Sequence, residues 1–123
     1  SDRTAVNGDV CNKIGTYLKA LSAYDNKIPF FVALPSSTID RSLKKGLGKI
    51  EIEERSSREM SHMSFYEKGK IIERPIYFKG ANIANPAFDV TPAKYITKLI
   101  TEFGTCKPDK KSILKKINLK ENE

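Results

Sequence analysis

The sequence predicts an α/β domain with a mostly parallel sheet, and three observations carry that prediction. Val10, Ile14, Leu18 and Leu21 recur at helical spacing within Asn7–Leu21, with Tyr17 widening the stripe. Ile28–Leu34 is a short continuous apolar run bounded by turn residues, the pattern of a strand buried on both faces. Ala93, Ile96, Leu99, Ile100 and Phe103 repeat the helical spacing behind Thr91-Pro92. Helix, turn, strand is half of a right-handed crossover.

Taken in order, Asp2–Val6 reads as the C-terminal end of a strand that begins before Ser1. Asn7-Gly8 supplies turn chemistry, and Asp9 is the expected N-cap of the first helix. An aspartate there fills the positive end of the helix, so an anionic or polyhydroxylated ligand would need explicit donors. Asn12 and Lys13, within the first turn and a half, are such donors, although a lysine there also suits plain solvated surface. Cys11, packed in that first turn, reads as a small hydrophobe rather than a nucleophile. Asp25-Asn26-Lys27 ends the helix.

Pro35–Thr38 follows the Ile28–Leu34 strand at its C-terminal end, where open α/β sheets bind ligands. Its three hydroxyls suit either a sugar phosphate or the capping of a turn. Ile50–Glu53 alternates as a half-exposed strand, and Arg58–Met63 reads as a helical turn. Ile71–Phe78 reads as an edge strand because of Pro75. His62 lacks companions at ligand spacing, so ordinary packing is expected rather than a metal role. Thr91 and Pro92 should open the second helix and Gly104 should stop it. Asn85 and Asp89 either line a pocket or fix the turn, and the turn is the reading preferred. Ile113, Leu114 and Ile117 predict a short terminal helix, with a disordered end and no functional signal past Asn118.

The 123 residues suffice for one modest core. No apolar run reaches the length of a membrane helix, and no signal pattern opens the chain. Cys11 and Cys106 stand apart without CxxC or histidine partners, so no zinc site or disulfide framework is expected. A reduced, cytoplasmic setting fits. The net charge of +7 comes from residues 41–79, with ten basic against six acidic groups, and from 107–123, with six against three. Neither stretch interleaves aromatics in a nucleic-acid-binding pattern, so no specific nucleic-acid partner is expected.

Four segments carry a family resemblance: SDRTAVNGDVCNKIGTYLKAL, IPFFVALPSSTID, IEIEERS and NPAFDVTPAKYITKLITEFG, in that order. Together they resemble the C-terminal half of the methylthioribose-1-phosphate isomerases. Their superfamily also holds the regulatory subunits of translation initiation factor 2B and the ribose-1,5-bisphosphate isomerases. IEERS and the intact NPAFDVTPA favour the isomerase branch. The resemblance implies a Rossmann-like three-layer domain over 1–106, followed by a lysine-rich helix and tail over 107–123. It implies an aldose–ketose isomerisation of 5-methylthioribose 1-phosphate in methionine salvage, with no cofactor or metal. Asp2 matches the catalytic acid, and Asn12 and Lys13 match the substrate-binding pair.

The same resemblance places the family's catalytic cysteine, phosphate-binding arginines and a glutamine in segments upstream of this chain. A separate N-terminal fragment is therefore an expected partner, beside a sugar-phosphate substrate and a second copy in a homodimer. Alone, the chain is expected to be inactive or weak. A non-catalytic interaction module related to the initiation-factor subunits is the alternative. Ser36 departs from the family's leucine and makes that wall less apolar.

Overall fold

A computed structural model describes residues 1–118. They form two compact units: Ser1–Glu51 with the chain from Phe88 onward, and Ile52–Ala87.

The larger unit is built on two mixed sheets. In the first, β1 (Arg3–Ala5) and β2 (Val10–Lys13) form a hairpin, β4 (Ile39–Asp40) lies parallel beside β1, and β7 (Phe88–Thr91) lies antiparallel beside β2. In the second, β3 (Phe31–Ala33) runs parallel to β8 (Lys98–Thr101), which turns back into β9 (Gly104–Cys106). The architecture is therefore α/β, with parallel pairing confined to β1·β4 and β3·β8 rather than dominating. Asn7-Gly8 makes the β1–β2 turn, with Gly8 at φ 92° and its N–H donated to Ala5 O at 2.9 Å.

Both long helices expected from periodicity are corrected. Val10–Lys13 is extended, and the helix α1 runs over Thr16–Asp25, opened by Gly15 at φ 99°. Asp9 is not its N-cap, and Cys11, Asn12 and Lys13 lie on a strand. The spacing of Val10 with Ile14, Leu18 and Leu21 ran across a strand, a turn and a helix. Val10 is fully buried, whereas Ile14, Leu18 and Leu21 are 47%, 69% and 36% exposed.

Thr91–Phe103 is likewise no helix. Thr91 ends β7, Ala93–Tyr95 is a single 3-10 turn, and β8 follows. The β-branched residues Ile96, Thr97, Ile100 and Thr101 favour the extended form, and Leu99 gains full burial between Val32 and Cys106 on neighbouring strands. Gly104, expected as a helix stop, instead takes the left-handed position that turns β8 into β9, at φ 93°.

The core joins Val10, Val32, Leu34, Ile39, Ile96 and Leu99 with Ile113 and Ile117 of the helix α3 (Lys110–Asn118). The terminal helix thus docks through the residues its spacing named. The expectation for the end past Asn118 lies outside the described residues.

In the smaller unit α2 (Arg58–Ser61) leads into β5 (His62–Glu67), which pairs antiparallel with β6 (Lys70–Pro75). Lys68 and Gly69, both at positive φ, form its two-residue turn. Ile50–Glu53 forms no strand; an isolated bridge joins Glu54 to Pro86.

Candidate functional site

The β1–β2 hairpin and its neighbour β7 position the sequence-predicted residues. Asp2 is exposed at the start of β1, and its N–H donates to Cys11 O at 2.9 Å, which holds it beside β2. Ser1 reinforces that end, its hydroxyl contacting Thr4 Oγ1 at 2.9 Å. Asn12 and Lys13 are consecutive on β2, so their side chains leave opposite faces of the strand. Lys13 is exposed. Asn12 is half-buried and donates its amide to Thr16 Oγ1 at 3.2 Å. Neither the concavity bordered by Tyr24, Ile28, Pro29 and Thr97 nor four others among the described residues has any of these three in its lining.

What the structure brings to Asn12 is Asp89, its direct partner across the β2·β7 pair. The Asp89 carboxylate accepts from Gly15 N at 2.7 Å and from Tyr17 N at 3.1 Å. It therefore closes the α1 N-terminus from a strand far away in sequence, the role expected of Asp9. The helix end is thus already occupied by a carboxylate. Any anion at this edge needs side-chain donors. Asp89 fixes a turn, as preferred from the sequence, but the turn it fixes belongs to α1. Tyr17 and Tyr24 of α1 pack their rings against Tyr95, with centroids 5.9 Å and 5.2 Å away.

Asp9 serves the scaffold. Only 4% exposed, its carboxylate accepts from the Asn7 amide at 2.9 Å and from the backbone N–H groups of Gly46, Leu47 and Ala93 at 3.0–3.1 Å. Burial works against its ionisation, yet those four donors outweigh it and hold the carboxyl below its ordinary value. Two distant backbone segments, at Gly46-Leu47 and at Ala93, are tied to one charge. No spacing rule would have found this.

Cys11 is buried, and burial, reinforced by the charges of Asp2 and Asp89 against Arg3, pushes its thiol up. It is a packed, unreactive sulfur. In the loop after β3, Thr38 donates its hydroxyl to Pro35 O at 2.9 Å, while Ser36 gives both N–H and hydroxyl to Glu102. These hydroxyls hold turns in place. His62 contacts its neighbour Ser61 through Nδ1 at 2.8 Å. Among the described residues no group of three or more His, Cys, Asp or Glu side chains is placed to hold a metal ion. Among the described residues no helix is long and apolar enough to cross a membrane.

Comparison with known proteins follows this geometry. Over 107 residues the chain is 55% identical to a methylthioribose-1-phosphate isomerase of Methylorubrum extorquens, covering 86% of this chain and 29% of that protein. A methylthioribose-1-phosphate isomerase of Methylobacterium nodulans is 52% identical over 116 residues, which are 94% of this chain and 32% of that protein. The crystal structure of 5-methylthioribose 1-phosphate isomerase from Pyrococcus horikoshii superposes with a TM-score of 0.79 at 42% identity, over 97% of this chain and 31% of that one. Translation initiation factor eIF-2B subunit delta from A. fulgidus follows at 0.77 and 34%, over 96% and 32%. The chain thus spans about a third of the length of these relatives. The Initiation factor 2 subunit family model matches residues 1–108, which take in the hairpin, α1, both sheets and the Asp89 cap, and the chain belongs to that family.

Proposed function

We propose that this chain supplies one wall of the sugar-phosphate site of an aldose–ketose isomerase acting on 5-methylthioribose 1-phosphate. The observation that supports the reading is the backbone tether of Asp2 N–H to Cys11 O, which brings the chain at Asp2 alongside β2, the strand that carries Asn12 and Lys13. The identity to isomerases over most of the chain supports it.

The anomeric phosphate of such a substrate locks the sugar ring, so isomerisation must begin with a proton delivered to the ring oxygen. Asp2 is the proton donor in this reading. Lys13 pairs with the phosphate and Asn12 orients hydroxyls. Asp2 and Lys13 are exposed here. The cover, the phosphate clamps and the catalytic cysteine belong to the N-terminal portion of the family's longer members, whose groups are each worth about a hundredfold in rate. In that assembly the strands described here extend into a Rossmann-like three-layer sheet, the assembly is a cytoplasmic homodimer, and the reaction serves methionine salvage.

Turnover of 5-methylthioribose 1-phosphate should be negligible with this chain alone. It should appear on adding the N-terminal portion of an isomerase relative, and should be lost again in Asp2→Asn. Normal turnover by the chain alone, or reconstituted turnover indifferent to Asp2→Asn, would overturn the reading. A second reading is a non-catalytic interaction module, favoured by the likeness to the initiation-factor subunit. A stable dimer in light scattering, with no sugar-phosphate binding before or after reconstitution, would select it.

A further inference from the structure

We propose that the concavity between β9 and α3 is a binding site for a compact phosphorylated anion, separate from the sugar-phosphate reading above. The cavity, of about 250 Å³, is lined by Thr105, Cys106, Lys107, Ser112, Lys115 and Lys116. Three lysines therefore line one hollow, and no carboxylate residue is among its lining residues. From Gly104 to Asn118 the chain carries five lysines against the single carboxylate of Asp109.

Asp109 offsets the hollow's charge only in part, one carboxylate against three lysines, although its charge reaches the lining Cys106. Its oxygens accept the N–H and hydroxyl of Ser112, both at 2.9 Å, as the cap of α3, and Lys107 is only a lesser influence on it. Among the described residues none of the three lining lysines is in an ion pair. Lys115 and Lys116 do suit the C-terminal end of α3, where cations meet the negative end of the helix. Lys107 gains nothing from that, because it precedes the helix. Bringing it to the same hollow costs like-charge repulsion, which an anion would reverse.

The lining selects the class of ligand. Lysine ammonium groups hold phosphate oxygens as point charges, and Thr105 adds a hydroxyl donor. No aromatic side chain lines the cavity, so nothing is offered for stacking a nucleobase. Its volume exceeds a single phosphate, which favours two linked phosphoryl groups.

Cys106 provides a local reporter. It is the half-buried member of the two cysteines and borders the cavity, whereas Cys11 is buried in the sheet. Pyrophosphate, titrated into the full chain at constant ionic strength, should bind saturably and slow Cys106 modification by a thiol reagent. The Lys115→Ala/Lys116→Ala variant, checked for folding by circular dichroism, should weaken binding about tenfold or more and remove the protection. Lys13→Ala should leave the Cys106 protection intact, which separates this site from the isomerase reading. Equal effects of pyrophosphate and sulfate, binding unchanged in the double variant, or an acidic peptide that protects Cys106 where pyrophosphate does not, would each overturn the assignment.

Discussion

The Asp89 carboxylate on β7 accepts the Gly15 N–H at 2.7 Å, and so a strand 74 residues away caps the first helix. The same carboxylate takes the Tyr17 N–H, while Gly15 itself offers no side chain for the task. Helix start and sheet pairing are therefore one structural event: β7 cannot leave β2 without uncapping α1. Asp89→Ala should destabilise the chain by about 1–2 kcal/mol. Amide exchange should rise first in the opening turn of α1, and Asp89→Asn should retain part of the effect because its carbonyl can still accept. Unchanged exchange in that turn would show that α1 draws its stability elsewhere.

Asp9 makes a pH prediction with a definite sign. Its native carboxyl lies below the ordinary value of 3.8, although burial alone would raise it, because Asn7 and the N–H groups of Ala93, Leu47 and Gly46 favour the anion. Unfolded chains bind the proton more readily, so Asp9 contributes stability above about pH 4 that is lost as pH falls through the lower native value. Asp9→Asn should lower stability at neutral pH by about 2 kcal/mol and flatten the acid limb of a denaturation curve. A variant with the same acid limb as the parent would place the acid sensitivity on other carboxylates.

Single-residue chemistry proved more legible in the sequence than secondary structure. Asn7-Gly8 was read as a turn, Ile113 and Ile117 as docking residues, and Cys11 as packing, all from local character. The first helix starts only at Thr16, although it ends where Asp25-Asn26-Lys27 was read to end it, and the second does not form, because apolar spacing is blind to where one element gives way to another. Val10 joined a helical stripe only across Gly15, and the stripe's other members are not covered within the described residues. The signals that decided were the hairpin turn before Val10, the left-handed Gly15 and the β-branched residues of β8. Asp89 and Asp9 could not have been assigned from spacing, since their backbone partners lie 37 to 84 residues away in the chain.

Gly8 should tolerate no side chain. A Cβ there would stand 2.2 Å from Pro108 O, and its φ of 92° is costly for any L residue. Gly48, at φ 70°, has nothing within 4 Å of the same position. Gly8→Ala should therefore cost about 3 kcal/mol or more, against about 1–2 kcal/mol for the backbone conformation alone in Gly48→Ala. Equal denaturation midpoints for the two variants would mean that the segment around Pro108 moves aside freely.

Thr91 offers the opposite kind of change. It is fully buried on β7, opposite Val10, in the row that Val10 shares with Thr4 and Ile39 across the sheet. Thr4 places its hydroxyl on Ser1, but the Thr91 hydroxyl has no hydrogen-bond partner among the described residues. A buried hydroxyl left unpaired carries its full desolvation cost, and valine fills the same volume without it. Thr91→Val should therefore raise stability by about 1 kcal/mol and the melting temperature by a few degrees. Because β7 also carries Asp89, the variant should leave exchange in the first turn of α1 unchanged. A loss of stability instead would reveal a partner for that hydroxyl, most simply a buried water held between Thr91 and the neighbouring strand.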